Sequence, residues 1–125
     1  MKAHATLTLL LAATLLAPLG CSTTVIDPGT QTSATYRFGK LTAQEQKSMD
    51  AVYAATEKAM EDLGLNVIQK VKDQLEAEVI ARDAQDKKVR IELVAVTRDT
   101  TKLVVHIRSV EKARRIYQTI QGNIQ

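Results

Sequence analysis

Met49, Val52, Tyr53, Thr56, Ala59, Met60 and Leu63 recur at spacings of three and four, and beyond Leu65 the spacing of apolar residues falls to two. The first pattern lays one stripe along an α-helix; the second sends alternate side chains to opposite faces of strands. Thr42-Ala43-Gln44-Glu45 reads as a capping box that opens the helix. Gly64 reads as the left-handed residue that stops it, with Leu65 folding back on Met60. Ahead of the helix, residues 36–41 read as one short strand with Tyr36 and Phe38 on one face.

Past Gly64, Leu65, Val67 and Val71 alternate in a short strand. Leu75, Ala77, Val79 and Ala81 then oppose Glu76, Glu78, Ile80 and Arg82. After a polar turn at 83–87, Val89, Ile91, Leu93 and Ala95 oppose Arg90, Glu92, Val94 and Val96. After a second turn at 98–101, Leu103, Val105 and Ile107 oppose Val104, His106 and Arg108. Helical spacing returns at Val110, Ala113, Ile116, Tyr117 and Ile120, with Ser109 as cap and Gly122 as stop. Short turns between alternating runs mean antiparallel hairpins. The predicted fold is therefore α+β, in the order β-α-β-β-β-β-α: an antiparallel sheet of four to five strands with two helices packed on one face.

The first residues follow neither period. Lys2 supplies a positive charge, and residues 5–17 carry none, which is a signal-peptide pattern too short to span a bilayer as a mature helix. Leu16-Ala17-Pro18-Leu19-Gly20-Cys21 resembles the lipobox of bacterial lipoproteins, and the resemblance implies diacylation of Cys21 and cleavage before it. The alternative is a secretory peptide cleaved nearby, leaving Cys21 a free thiol, a liability in an oxidising compartment. Two acyl chains hold a protein stably on a membrane where one is marginal. Ser22 stands where the lipoprotein sorting pattern puts Asp for inner-membrane retention, so the expected location is the outer membrane, facing the periplasm. Residues 22–35, rich in Ser, Thr, Gly and Pro, read as a flexible tether. The expected division is a signal peptide at 1–20, a tether at 21–35 and one α+β domain at 36–125.

Composition narrows the chemistry. At 125 residues the chain is one domain, and with 3% aromatic residues its core is aliphatic. A formal charge of +3, drawn from mixed acids and bases without aromatic interleaving, argues against nucleic acid as a partner. One cysteine excludes an internal disulfide, and no Cys/His cluster has zinc spacing. His4 falls in the signal, so His106 is the one histidine of the mature chain; its parity points outward, as an exposed sheet residue. Glu76 and Glu78 read as a solvated ladder, and Asp83 and Asp86 lack the spaced oxygens of a calcium loop. No catalytic residues, metal site or cofactor site are expected, and the chain is read as non-enzymatic. Arg108, Lys112, Arg114 and Arg115 cluster near the last helix, either as a solvated face or in contact with anionic lipid headgroups.

The face turned away from the helices carries Ile80, Val94, Val96 and Val104 among Glu78, Arg90, Glu92 and Arg108. A three-residue loop at 99–101 would set Val96 opposite Val104 and Glu92 opposite Arg108. Four clustered aliphatic residues ringed by charge form a candidate surface for an envelope protein partner. The plainer alternative is that β-branched residues suit exposed strands. The expected function is a lipid-anchored structural or interaction module. The alternative is a small-molecule or lipid carrier with a pocket between helices and sheet.

Tyr36-Arg37-Phe38-Gly39-Lys40-Leu41, the Ala-rich helix ending Leu63-Gly64-Leu65, and Val104-Val105-His106-Ile107-Arg108 before an Ile-rich helix resemble a family of short bacterial lipoproteins known only as a domain of unknown function. The resemblance covers residues 36–124. It implies lipid anchoring and an α+β domain, and brings no activity with it.

Overall fold

A computed structural model describes residues 23–26 by their backbone and residues 33–125 in full. The segment expected to be a signal peptide, and Cys21, lie outside the described residues. The strands are β1 (Thr23–Ile26), β2 (Ser33–Arg37), β3 (Lys40–Glu45), β4 (Asn66–Lys72), β5 (Glu76–Arg82), β6 (Lys88–Thr97) and β7 (Thr100–His106). The helices are α1 (Met49–Asp62) and α2 (Val110–Asn123). All strand pairs are antiparallel, in the order β1-β2-β3-β7-β6-β5-β4.

The α+β architecture with both helices on one face is as the periodicity predicts. The added strands come from its N-terminal end. Within the segment expected to be a tether, β1 pairs with β2. The expected single strand at 36–41 is a hairpin: Phe38 and Gly39 sit at φ +51° and +73° and fold β2 onto β3. Two consecutive positive φ values are what a two-residue type I′ turn requires.

The expected capping box is not used. Thr42 and Glu45 belong to β3, and Ser48 caps α1, its Oγ accepting from the Ala51 amide at 3.3 Å. The hydroxyl-to-N3 spacing is satisfied equally well by Ser48, and Leu41, Ala43 and Glu45 alternate into the core with the period of a strand. Gly64 ends α1 as expected, at φ +66°, with the Leu65 amide donating to the Met60 carbonyl at 2.9 Å. Ser109 caps α2 through the Lys112 amide at 3.3 Å. Gly122 does not stop that helix, which runs on to Asn123.

The inner face of the sheet is built in rows. Leu41, Val105, Ile91 and Val79 face one another across β3, β7, β6 and β5, and Ala43, Leu103, Leu93 and Ala77 form the next row. Onto them pack Val52, Ala55, Ala59 and Met60 of α1 and Ala113, Ile116, Tyr117 and Ile120 of α2. Leu75 is a correction. Its parity predicts burial, yet it precedes β5 in the turn from β4 and is 67% exposed.

Candidate functional site

The outer face of the sheet is organised by charge. Glu78 on β5 stands directly opposite Glu92 on β6, a like-charge pairing that is unfavourable by itself. Arg90 resolves it, reaching Glu92 at 3.0 Å and Glu78 at 3.8 Å. From β7, His106 Nε2 lies 2.9 Å from the other Glu92 oxygen, and since a carboxylate only accepts, Nε2 carries the proton. Burial works to raise the Glu92 pKa, but the hydrogen bond and charge of His106, with Arg90 and Lys40, outweigh it and hold the carboxylate below its usual value. His106 has the predicted outward parity, but only 17% of its side chain is exposed.

This network separates the four aliphatic residues expected to cluster. Glu92, not Val96, lies in register between Glu78 and Val104, while Val94 faces Lys102. The β6–β7 loop has two residues, Arg98 and Asp99, and a bulge at Val96 shifts the register. Glu92 opposite Arg108 is corrected along with it. Ile80 and Val104 are each 8% exposed and lie apart; Val94 and Val96 are open to solvent.

Among the described residues, four of the five exposed large aliphatics instead gather at one end of the sheet, and the fifth, Ile68, lies within β4. Val94 and Val96 at the end of β6, Val71 near the end of β4 and Leu75 in the β4–β5 turn are all exposed. A groove of about 480 Å³ runs between Val71 and Val94, with Asp73, Glu76, Glu78 and Glu92 along it.

The opposite end is basic. Phe38 at the tip of the β2–β3 turn is 86% exposed, with the Arg37 guanidinium 4.9 Å from its ring centre. Beside it opens a groove of about 720 Å³ lined by Lys40, Lys87, Lys88, Arg108 and Lys112, with no carboxylate in its walls. The walls are tied together. The Tyr36 hydroxyl contacts the Ile107 and Arg108 carbonyls at 2.9 and 2.6 Å, and Ile107 donates its amide to Gly39. Lys112 Nζ is 2.9 Å from Asp83, whose carboxylate also accepts from the Gln85 and Lys87 amides. The Lys112 hydrogen bond leads the causes that lower the Asp83 pKa. Of the predicted basic cluster, Arg108 and Lys112 line this groove and Arg114 and Arg115 do not. Lys40 joins from β3 and the Lys87-Lys88 pair from the start of β6, with no spacing in the sequence that links them to Arg108 and Lys112.

A third polar group is internal. Glu45 is 5% exposed at the end of β3, under α2. Burial raises its pKa, opposed by hydrogen bonds from Tyr117 and Gln121. Among the described residues no three His, Cys, Asp or Glu side chains converge as metal ligands. Glu92 orients the His106 ring, and the Arg90 guanidinium is also within reach of Nε2, at 3.5 Å. Among the described residues no helix is long and apolar enough to cross a membrane.

No curated protein matches the chain. A family pattern does, over residues 4–123, which is nearly the whole sequence. The chain therefore belongs to DUF3568, a family of proteins of unknown function.

Proposed function

We propose that this protein is a non-enzymatic module of the cell envelope, fixed to a membrane by acyl chains on Cys21 and docking a partner protein on the apolar end of its sheet. One observation carries the reading: among the described residues, four of the five exposed large aliphatics, all but Ile68, lie at the end of the sheet away from where β1 begins. Thr23 pairs with Tyr36 beside the β2–β3 turn, whereas Val94, Val96 and Leu75 belong to the far end. Cys21 precedes Thr23 by two residues, so a chain held there directs Val94 and Val96 away from the lipid. The family match takes in the Cys21 segment. Ser22 favours the outer membrane, facing the periplasm.

A photoreactive residue at Val96 in intact cells tests docking, with exposed Gln118 on α2 as the comparison. Adducts from Val96 alone support the reading; adducts from Gln118 alone, or none, overturn it. For the anchor, Cys21→Ser is expected to shift the protein from the membrane to the soluble fraction.

The carrier reading has a separate observation behind it. A cleft of about 310 Å³ opens between the end of α1, α2 and the sheet, with Leu63, Leu65, Val89, Ile107 and Ile116 in its walls. Native mass spectrometry of the purified protein distinguishes the two, since a carrier arrives with bound ligand.

A further inference from the structure

We infer that the end of the sheet carrying the β2–β3 turn docks on an anionic phospholipid surface, with Phe38 entering the interface and Lys40, Lys87, Lys88 and Arg108 engaging headgroup phosphates.

Phe38 combines two unfavourable choices. It holds a positive φ, where a side chain other than Asn, Asp or Gly is strained, and it exposes nearly its whole ring to water. The tip of a two-residue turn ordinarily takes Asn or Gly. An aromatic ring beside basic residues is the pairing that suits the boundary between headgroups and acyl chains. Arg37 already lies against the ring, so both groups project from one tip.

Charge points the same way. No acid lines the groove beside Phe38. Lys112 is taken by Asp83, but Lys40, Lys87, Lys88 and Arg108 form no salt bridge among the described residues. Basic side chains held within a Debye length of an anionic leaflet are attracted to it. The chain path agrees: Thr23 pairs with Tyr36, which places the start of β1 next to this tip. In this last respect the inference rests on the anchoring reading, because an acylated Cys21 would bring the tip to the membrane.

The sequence contains no tryptophan, so Phe38→Trp makes a single reporter at the tip. The full chain carrying it, as produced by cells, is reconstituted into vesicles of phosphatidylcholine alone or with phosphatidylglycerol added. The Trp emission is expected to move to shorter wavelength only where phosphatidylglycerol is present. The shift should vanish at roughly 1 M salt, where the Debye length falls to ~3 Å. Lys88→Gln and Arg108→Gln should each raise the phosphatidylglycerol needed, on the order of fivefold in partitioning per charge lost. A Val96→Trp reporter should not respond. No shift with phosphatidylglycerol overturns the inference, as does an equal shift with phosphatidylcholine alone. A shift produced by inorganic phosphate without anionic lipid also overturns it, in favour of a soluble anion. The intact mass of the same sample reads acylation at Cys21 independently, so failure of the anchor and failure of the docking are told apart.

Discussion

His106 on β7 and Glu92 on β6 meet diagonally: His106 is in register with Arg90 and Glu92 with Val104, yet the imidazole Nε2 and the carboxylate lie 2.9 Å apart. The contact gives Glu92 a second partner besides Arg90 and makes its position opposite Glu78 tolerable. Because the folded state holds the Glu92 pKa below its ordinary 4.5, the unfolded chain takes up protons first as pH falls. The stability from this network is present above pH 4.5 and is lost as pH drops through the lowered value. Thermal melts across the acid range should show a shallower decline for Glu92→Gln than for the parent; superimposable acid limbs would refute the assignment.

Arg90 is the bridge between two facing carboxylates. Arg90→Met should cost about 0.5–1 kcal/mol at low salt, and less at high salt because these side chains are 30–40% exposed. Adding Glu78→Gln to that variant should recover most of the loss. A double-mutant cycle by urea denaturation measures the coupling, and additive single effects would argue against the bridge.

Glu45 titrates in the opposite sense. Burial raises its folded pKa, so the folded state holds the proton over a range where the unfolded chain has released it. Its contribution is greatest below pH 4.5 and declines as pH rises through the raised value. Glu45→Gln keeps the shape and removes the buried charge. The variant should lose that decline and melt higher than the parent at neutral pH; a lower melting temperature there would mean that Tyr117 and Gln121 hold the anion and would refute the assignment.

Tyr36 fastens the β2–β3 hairpin to the link between β7 and α2 through its hydroxyl. Tyr36→Phe should lower stability by about 0.5–1.5 kcal/mol. Hydrogen exchange should rise at the Ile107 amide, which donates to Gly39 in the same junction. Unchanged protection at Ile107 would separate the two contacts.

Phe38→Asn should raise stability by about 1 kcal/mol, since Asn accepts a positive φ at lower strain than an aromatic residue. A fall in melting temperature would mean that the ring, despite its exposure, packs usefully on the fold.

The sequence by itself determined the layers. The three-to-four spacing of Val52, Thr56, Ala59 and Met60 selects a helix, and the alternation through Val79, Ile91 and Val105 selects strands with one buried face. Those are local periodicities, set by backbone geometry, and they survive into the fold. Gly64 and Ser109 act where they were legible, because a positive φ and a free amide are needs of the local chain. Tertiary structure decided what depends on register. A bulge at Val96 and a two-residue loop changed every pairing across β6 and β7, breaking the expected patch and putting His106 beside Glu92. It also chose Ser48 over Thr42 as the cap, since Leu41, Ala43 and Glu45 were needed to extend the sheet. The basic groove assembles Lys40 of β3, the Lys87-Lys88 pair where β6 begins and Arg108 beyond the end of β7, and neighbours brought together only by pairing leave no spacing along the chain to read.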